Sequence, residues 1–211
     1  MSEFVRIQCF PEICCSLKGL FCSIQCLLKH ARCLTGVLDR SPSVVTKDFI
    51  IDPDTVDFDN IVADIDQIRK YNPQRFEMEQ LTAIVHEDPV RVACVGYKDI
   101  TNDEFWVRGH MPGMPLMPGI VMLEAVAQVC CYCSHKYELL GKSMVGFGGL
   151  EDVRFRDPVV PGDRLIVMCE LLKVRKPRLI VCRFQGIVKR NIVVEGILKG
   201  IPIPVEYLTS R

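Results

Sequence analysis

The feature that most constrains the fold is a long apolar segment that begins directly after Gly119 and ends at Gly141. It reads IVMLEAVAQVCCYCSHKYELL. Its length predicts about five helical turns at 3.6 residues per turn, and a glycine is a common residue just past a helix end. Before His135, only Glu124, Gln128 and Ser134 interrupt the apolar residues. Because apolar side chains occupy nearly every face, we predict a helix that is buried all round.

Strand-like patterns follow this segment. Four apolar-rich runs cover residues 145–156, 164–174, 179–189 and 192–200, with turn residues such as Lys176-Pro177 and Arg190-Asn191 between them. Short strands joined by tight turns form an antiparallel sheet. A sheet of this kind beside a helix that is apolar all round is expected to wrap around it, which is an α+β architecture.

Three weaker patterns precede the apolar segment. Residues 60–71 place isoleucines at a helical period and are predicted to be helical, with Asp59 or Asn60 as the cap. Residues 90–96 alternate like a half-buried strand, and 103–108 are predicted to form another short strand.

The N-terminal part differs in composition. A serine- and proline-containing boundary at 41–43 predicts an extension, 1–46, that is poorly ordered or weakly helical, and a single domain, 47–211. Half of the 12 cysteines lie in the first 33 residues, without the paired spacing of a metal site, so no metal is predicted there. Scattered cysteines in apolar runs indicate a reducing compartment, and we predict a cytoplasmic protein. The apolar stretch 17–28 is too short to span a bilayer, so no membrane partner is predicted.

Charge narrows the range of partners. The formal net charge is zero, which gives no electrostatic argument for nucleic acid. Residues 139–211 nevertheless carry 13 basic and 7 acidic side chains. This basic region fits an acidic partner, although a solvated surface explains it equally well.

Three residues within fifteen positions offer a base, an acid and an N–H group that can stabilise an anion. His110 opens the segment HMPGMPLMPG, whose prolines and glycines predict a shaped loop, and histidine is suited to take a proton near neutral pH. Glu124 lies in an apolar helix, where a carboxyl group tends to stay protonated and can act as an acid. Gly119 offers a free helix-terminal N–H to a negatively charged oxygen. Taken singly, Glu124 is as readily a structural residue and His110 an exposed one. Together they predict a site.

The segment HMPGMPLMPGIVMLEAVAQ resembles the active-site segment of bacterial 3-hydroxyacyl-acyl-carrier-protein dehydratases of the glutamate-bearing type. In this resemblance His110 matches the catalytic histidine and Glu124 the catalytic carboxylate. Gly119 matches the glycine whose amide holds the thioester carbonyl, and Gln128 matches a helix glutamine. A second block, RFRDPVVPGDRL, resembles the family's later strand and turn.

The resemblance also predicts the substrate-binding residues and where the chain departs from the family. Met111, which replaces the usual phenylalanine, and Pro118 are predicted to line the substrate site with Gly119 and Gln128. Residues Gln74, Glu77 and Met78 depart from the family's P-H-R-Y-P-F-L segment. In the family a tunnel takes the acyl chain of the substrate. These changes are therefore expected to affect the tunnel wall and the preferred acyl-chain length more than the reaction itself.

The resemblance implies a hot-dog fold, in which a curved antiparallel sheet wraps around a long central helix. It implies homodimers, with trimers of dimers as a further level of assembly, and active sites that combine the histidine of one subunit with the carboxylate of the other. The implied activity is dehydration of a 3-hydroxyacyl thioester delivered by acyl carrier protein. No metal or redox cofactor is predicted, because the phosphopantetheine arm arrives with the substrate. The alternatives to the dehydratase activity are a hot-dog acyl thioesterase and a non-catalytic acyl-binding subunit of a synthase assembly.

Overall fold

The computed structural model describes residues 48–141 and 143–203, so the prediction for 1–46 lies outside the described residues. Six strands form one antiparallel sheet in the order β1-β2-β4-β5-β6-β3. The strands are β1 (Ala83–Asp88), β2 (Ala93–Asp99), β3 (Met144–Phe155), β4 (Arg164–Arg175), β5 (Leu179–Val188) and β6 (Asn191–Ile203). One long helix, Gly119–Lys136, is called the central helix below. It contacts β2, β3, β4 and β5, which confirms the α+β prediction.

The main core lies between the central helix and the sheet. Val126 and Val129 of the helix are fully buried, as are Leu165 of β4 and Phe184 of β5. Burial of side chains of this size stabilises a fold by about 1.5–3 kcal/mol each. The helix is therefore held in place mainly by apolar packing.

A second apolar cluster covers the opposite face of the sheet. Ile50 and Val56, from the segment that precedes β1, pack against Val95 of β2 and Met168 of β4. The buried Gln185 of β5 anchors this segment, because its Oε1 accepts from the Ile50 N–H at 2.8 Å and its Nε2 donates to the Asp48 carbonyl at 2.9 Å.

The four strands predicted after the helix are confirmed, whereas the earlier elements differ from the predictions. Residues 60–71 contain only a short helix, Ile65–Ile68, which the Asp64 side chain caps through the Gln67 N–H. The N–H groups of Val62 and Ala63 instead donate to the Ile84 carbonyl of β1, so a long-range contact replaces the helical bonds.

Two of the predicted strands are also wrong in detail. Val90, which is 91% exposed, lies in the turn between β1 and β2, and the second strand begins only at Ala93. Residues 103–108 form turns and no strand. There the N–H groups of Gly109 and His110 both donate to the carbonyl of the buried Trp106.

The prediction that the helix is buried all round holds for one side only. Ile120 is 77% exposed, and Leu123, Glu124 and Ala127 are only half-buried. These positions recur at the spacing of one helix face. We call them the open stripe of the central helix, because the sheet of the same chain does not cover them. Within the described residues, no helix is long and apolar enough to cross a membrane.

Candidate active site

His110 is held by the two ends of its own loop. Its N–H donates to the Trp106 carbonyl at 2.8 Å, and its carbonyl accepts from the Leu116 N–H at 3.0 Å. The imidazole Nδ1 lies 2.8 Å from the Leu116 carbonyl oxygen. A carbonyl only accepts, so Nδ1 carries the proton and the lone pair of the neutral ring lies on Nε2. The loop thus presents a base at Nε2 in a fixed orientation.

Glu124 receives two amide donors on the same oxygen. Gln128, one turn later in the central helix, donates from Nε2 to Glu124 Oε1 at 2.8 Å. Gln74 donates from Nε2 to the same Oε1 at 3.1 Å. Because Oε1 is occupied as an acceptor, a proton on this carboxyl group resides on Oε2. The half-buried Glu124 therefore keeps Oε2 for a ligand.

Gln128 connects the carboxyl group to the segment before β1. Its Nε2 also donates to the Met78 carbonyl at 2.6 Å, and its Oε1 accepts from the Gln80 N–H at 2.9 Å. The backbone carbonyl of Gln128 accepts from the buried Asn72 side chain at 2.9 Å. Because Gln128 is 2% exposed, water cannot reach its polar groups, and these protein hydrogen bonds satisfy them instead. Gln128 thus positions Glu124 rather than lining an open substrate surface.

Gly119 begins the central helix against an aromatic ring. A Cβ atom built at position 119 would lie 2.8 Å from Cε1 of Phe155, at the end of β3. A larger residue at position 119 would therefore push the exposed Phe155 ring aside. Pro118 occupies the N-cap position of the helix, and its side chain makes no capping hydrogen bond. The Gly119 N–H belongs to the first helical turn, whose N–H groups have no partner within a helix.

Glu124 lines a cavity of about 220 Å³ between the central helix, β3 and β6. Gln74, Cys131 and Phe147 also line it, but His110 does not. Met111 is 48% exposed on the His110 loop, and Pro118 lies at the start of the helix. One chain thus brings Glu124, Gln128 and Gln74 together, and it does not place His110, Met111 or Pro118 in the same cavity.

Two thiols line this cavity, Cys130 and Cys131, and Cys131 offers no nucleophile. Burial first, and then the nearby charge of Glu124, raises the pKa of Cys131 to about 12. A thiol in that state is protonated at neutral pH and reacts slowly. The chemistry available at this cavity wall is therefore acid–base chemistry on the carboxyl group.

Gln74 is the site residue that sequence reasoning missed. It was noted only as a departure from the family's segment, yet it supplies one of the two donors to Glu124. Its own Oε1 is buried and has no hydrogen-bond partner among the described residues. Nothing in the sequence related it to Glu124, which lies fifty positions later.

Comparisons with known proteins identify the family. A family model described as a FabA-like domain matches residues 72–196. The 3-hydroxyacyl-[acyl-carrier-protein] dehydratase FabZ of Desulfotalea psychrophila is 38% identical over 126 residues, which are 59% of this chain and 83% of that protein.

Two solved structures share the fold. The dehydratase heterocomplex ApeI:P from Xenorhabdus doucetiae aligns with a TM-score of 0.57 and 16% identity, over 68% of this chain and 95% of that chain. Cj0977, a sigma28-regulated virulence protein of Campylobacter jejuni, aligns with a TM-score of 0.53 and 16% identity, over 70% and 96%. At this identity the likeness concerns the fold alone, and it confirms the hot-dog architecture.

Proposed function

Because the chain belongs to the FabA-like dehydratase family, we propose that it dehydrates (3R)-3-hydroxyacyl thioesters on acyl carrier protein to trans-2-enoyl thioesters, in fatty acid or related lipid biosynthesis. The observation that carries the proposal is the Glu124 carboxyl group. It lies at the wall of an apolar cavity with one oxygen held by two amides and the other left for a ligand.

The reaction follows from what each group can do. Nε2 of His110 takes the α-proton of the thioester, and the Gly119 N–H stabilises the charge that develops on the thioester oxygen. Oε2 of Glu124 gives its proton to the β-hydroxyl, which leaves as water. The imidazolium must then return a proton to Glu124, through water, before the next turnover. These steps need no metal or redox cofactor, and the phosphopantetheine arm belongs to the carrier protein.

A second copy of the chain supplies His110 in this proposal. The open stripe of the central helix leaves apolar residues uncovered beside Glu124. Strand β3 lies at one edge of the sheet and exposes Phe147, Leu150 and Phe155, each by more than a third of its surface. A long apolar edge strand is a favourable pairing surface, and a symmetric pair uses the same surface on both copies. We therefore propose a homodimer, which can assemble further into a trimer of dimers.

The acyl carrier protein fits an exposed basic turn. The last residues of β4 and the turn that leads to β5, residues 172–178, are all exposed and carry four positive charges: Lys173, Arg175, Lys176 and Arg178. By contrast, Arg156 already pairs with Glu195 and Arg164 with Asp99. A positive turn attracts an acidic partner and accelerates docking. The six cysteines of the described region are free thiols, which supports a reducing compartment such as the cytoplasm.

The test is turnover of crotonyl-acyl carrier protein, followed by loss of the conjugated double bond on hydration. We expect turnover in the wild type and its loss in His110→Ala and in Glu124→Ala. His86→Ala, a change on β1 away from the cavity, is the matched control and should retain activity. Release of the free carrier thiol without hydration would instead identify a thioesterase. Acyl binding without either reaction, in a folded dimer, would identify a non-catalytic subunit.

A further inference from the structure

Three cysteines from three different elements converge in the core. They are Cys130 of the central helix, Cys169 of β4 and Cys182 of β5, and their sulfur atoms all lie within 4.8 Å of one another. Cys130 Sγ lies 3.0 Å from Cys169 Sγ. All three side chains are at most 2% exposed. We call them the three-thiol cluster.

Consecutive helical residues point in different directions, so neighbouring cysteines of the central helix do not meet at one point. Of the adjacent pair Cys130 and Cys131, Cys130 belongs to the cluster and Cys131 does not. Strands β4 and β5 each place one cysteine close to Cys130. Three sulfur ligands on three separate elements have the arrangement of a metal site, in which distant parts of a chain converge on one ion.

We propose that the three-thiol cluster binds a soft monovalent metal ion, Cu(I). Thiolate ligands select soft ions such as Cu(I) over hard ones. Metal–sulfur bonds of about 2.3 Å in a trigonal arrangement place the sulfur atoms about 4 Å apart. The observed separations extend from 3.0 Å to at most 4.8 Å. Small side-chain movements therefore suffice to seat the ion.

The number of ligands favours Cu(I) over Zn(II). Structural zinc sites take four ligands in a tetrahedron, whereas Cu(I) is stable with two or three sulfur atoms. Among the described residues, the group of mutually close sulfur atoms has three members. Cys133 is a further buried thiol of the central helix. It contacts Cys169 on one side and Cys94 on the other, which places it outside the group of three.

The charge of the loaded site must stay small. The thiols lie in an apolar core, where an uncompensated charge is costly. A monovalent ion held by two thiolates and one neutral thiol leaves a single negative charge. Metal binding itself drives the loss of the thiol protons.

The cluster also has an entry path. Cys130 lines the cavity that holds Glu124, so an ion or a donor thiol that enters this cavity reaches the first ligand directly. A bound ion would connect the central helix to β4 and β5 and would therefore stabilise the fold. This inference stands whatever reaction the cavity supports, since it depends only on the three sulfur atoms.

The test is anaerobic titration of the reduced full-length chain with Cu(I) in competition with a chelator. The six cysteines of the first 33 residues can also take up copper, so the informative quantity is the difference between variants. We expect Cys169→Ala and Cys182→Ala each to lose one equivalent relative to the wild type. Cys131→Ala removes a buried thiol that lies outside the cluster, and it should lose none.

A second measurement separates metal binding from simple misfolding. Cu(I) should raise the urea midpoint of the wild type and of Cys131→Ala, and should leave that of Cys169→Ala unchanged. Equal copper uptake in the wild type and the two cluster variants would overturn the proposal. So would tighter retention of Zn(II) than of Cu(I), or a Cys130–Cys169 disulfide in place of bound metal.

Discussion

Gln128 offers the sharpest test of the site's architecture, because a buried glutamine elsewhere in the chain serves as a matched control. Gln128→Leu removes the acceptor of the Gln80 N–H, and Gln80 is 1% exposed. A buried donor left without a partner costs about 1–3 kcal/mol, and the lost hydrogen bond to the carboxyl group contributes about 0.5–1.5 kcal/mol. The added apolar surface of leucine offsets part of this loss. We expect the free energy of unfolding to fall by about 2–4 kcal/mol.

Gln185→Leu is the control. Gln185 is equally buried and also bonds two backbone groups, but on the opposite face of the sheet. It should lose about 1–3 kcal/mol of stability. Turnover, measured where both variants are folded, should separate them. Gln128→Leu should lower kcat by about tenfold or more, since it removes one of the two donors that orient Glu124. Gln185→Leu should not change it.

Urea denaturation and crotonyl hydration on the same two preparations measure both effects. The reasoning is refuted if Gln128→Leu loses less than about 1 kcal/mol. An equal drop in kcat in both variants would also refute it, because stability alone would then explain the activity.

Three further predictions concern Gly119, Gln74 and His135. Gly119→Ala places a methyl group 2.8 Å from Phe155 Cε1. It should lower kcat/KM while the free energy of unfolding changes by less than about 1.5 kcal/mol. Steady-state kinetics and a urea midpoint measure the two effects. Gln74→Leu should lower kcat severalfold with little loss of stability, since Gln74 is only half-buried, and an unchanged kcat would remove it from the site. Burial lowers the pKa of His135 below the ordinary histidine value of about 6.5. The unfolded chain therefore binds a proton more readily, and stability should fall as the pH drops below about 6.5. The urea midpoint of His135→Gln should lose this acidic decline, and an unaltered decline would assign it to other groups.

The parts of the fold that could be predicted from the sequence are those set by local pattern. The start of the central helix at Gly119 and the four later strands follow from apolar periodicity and turn residues. The pair Glu124 and Gln128 could also be anticipated, because residues four apart share a helix face.

The parts that could not be predicted depend on contacts between distant segments. The expected helix at 60–71 is shortened because Val62 and Ala63 pair with β1. The donor Gln74 lies fifty positions before Glu124. The three-thiol cluster requires the register of β4 against β5, which pairs Cys169 with Phe184 and Leu171 with Cys182. Periodicity within one segment contains no information about such pairings.

The central claim is that His110 and Glu124 of two different copies form one dehydratase site. Mixing inactive His110→Ala with inactive Glu124→Ala, under conditions that exchange subunits, tests it directly. If the site is shared between copies, each mixed dimer holds one intact pair, and random exchange should restore about a quarter of the wild-type hydration rate. If both residues act within one chain, the mixture should remain as inactive as its two components.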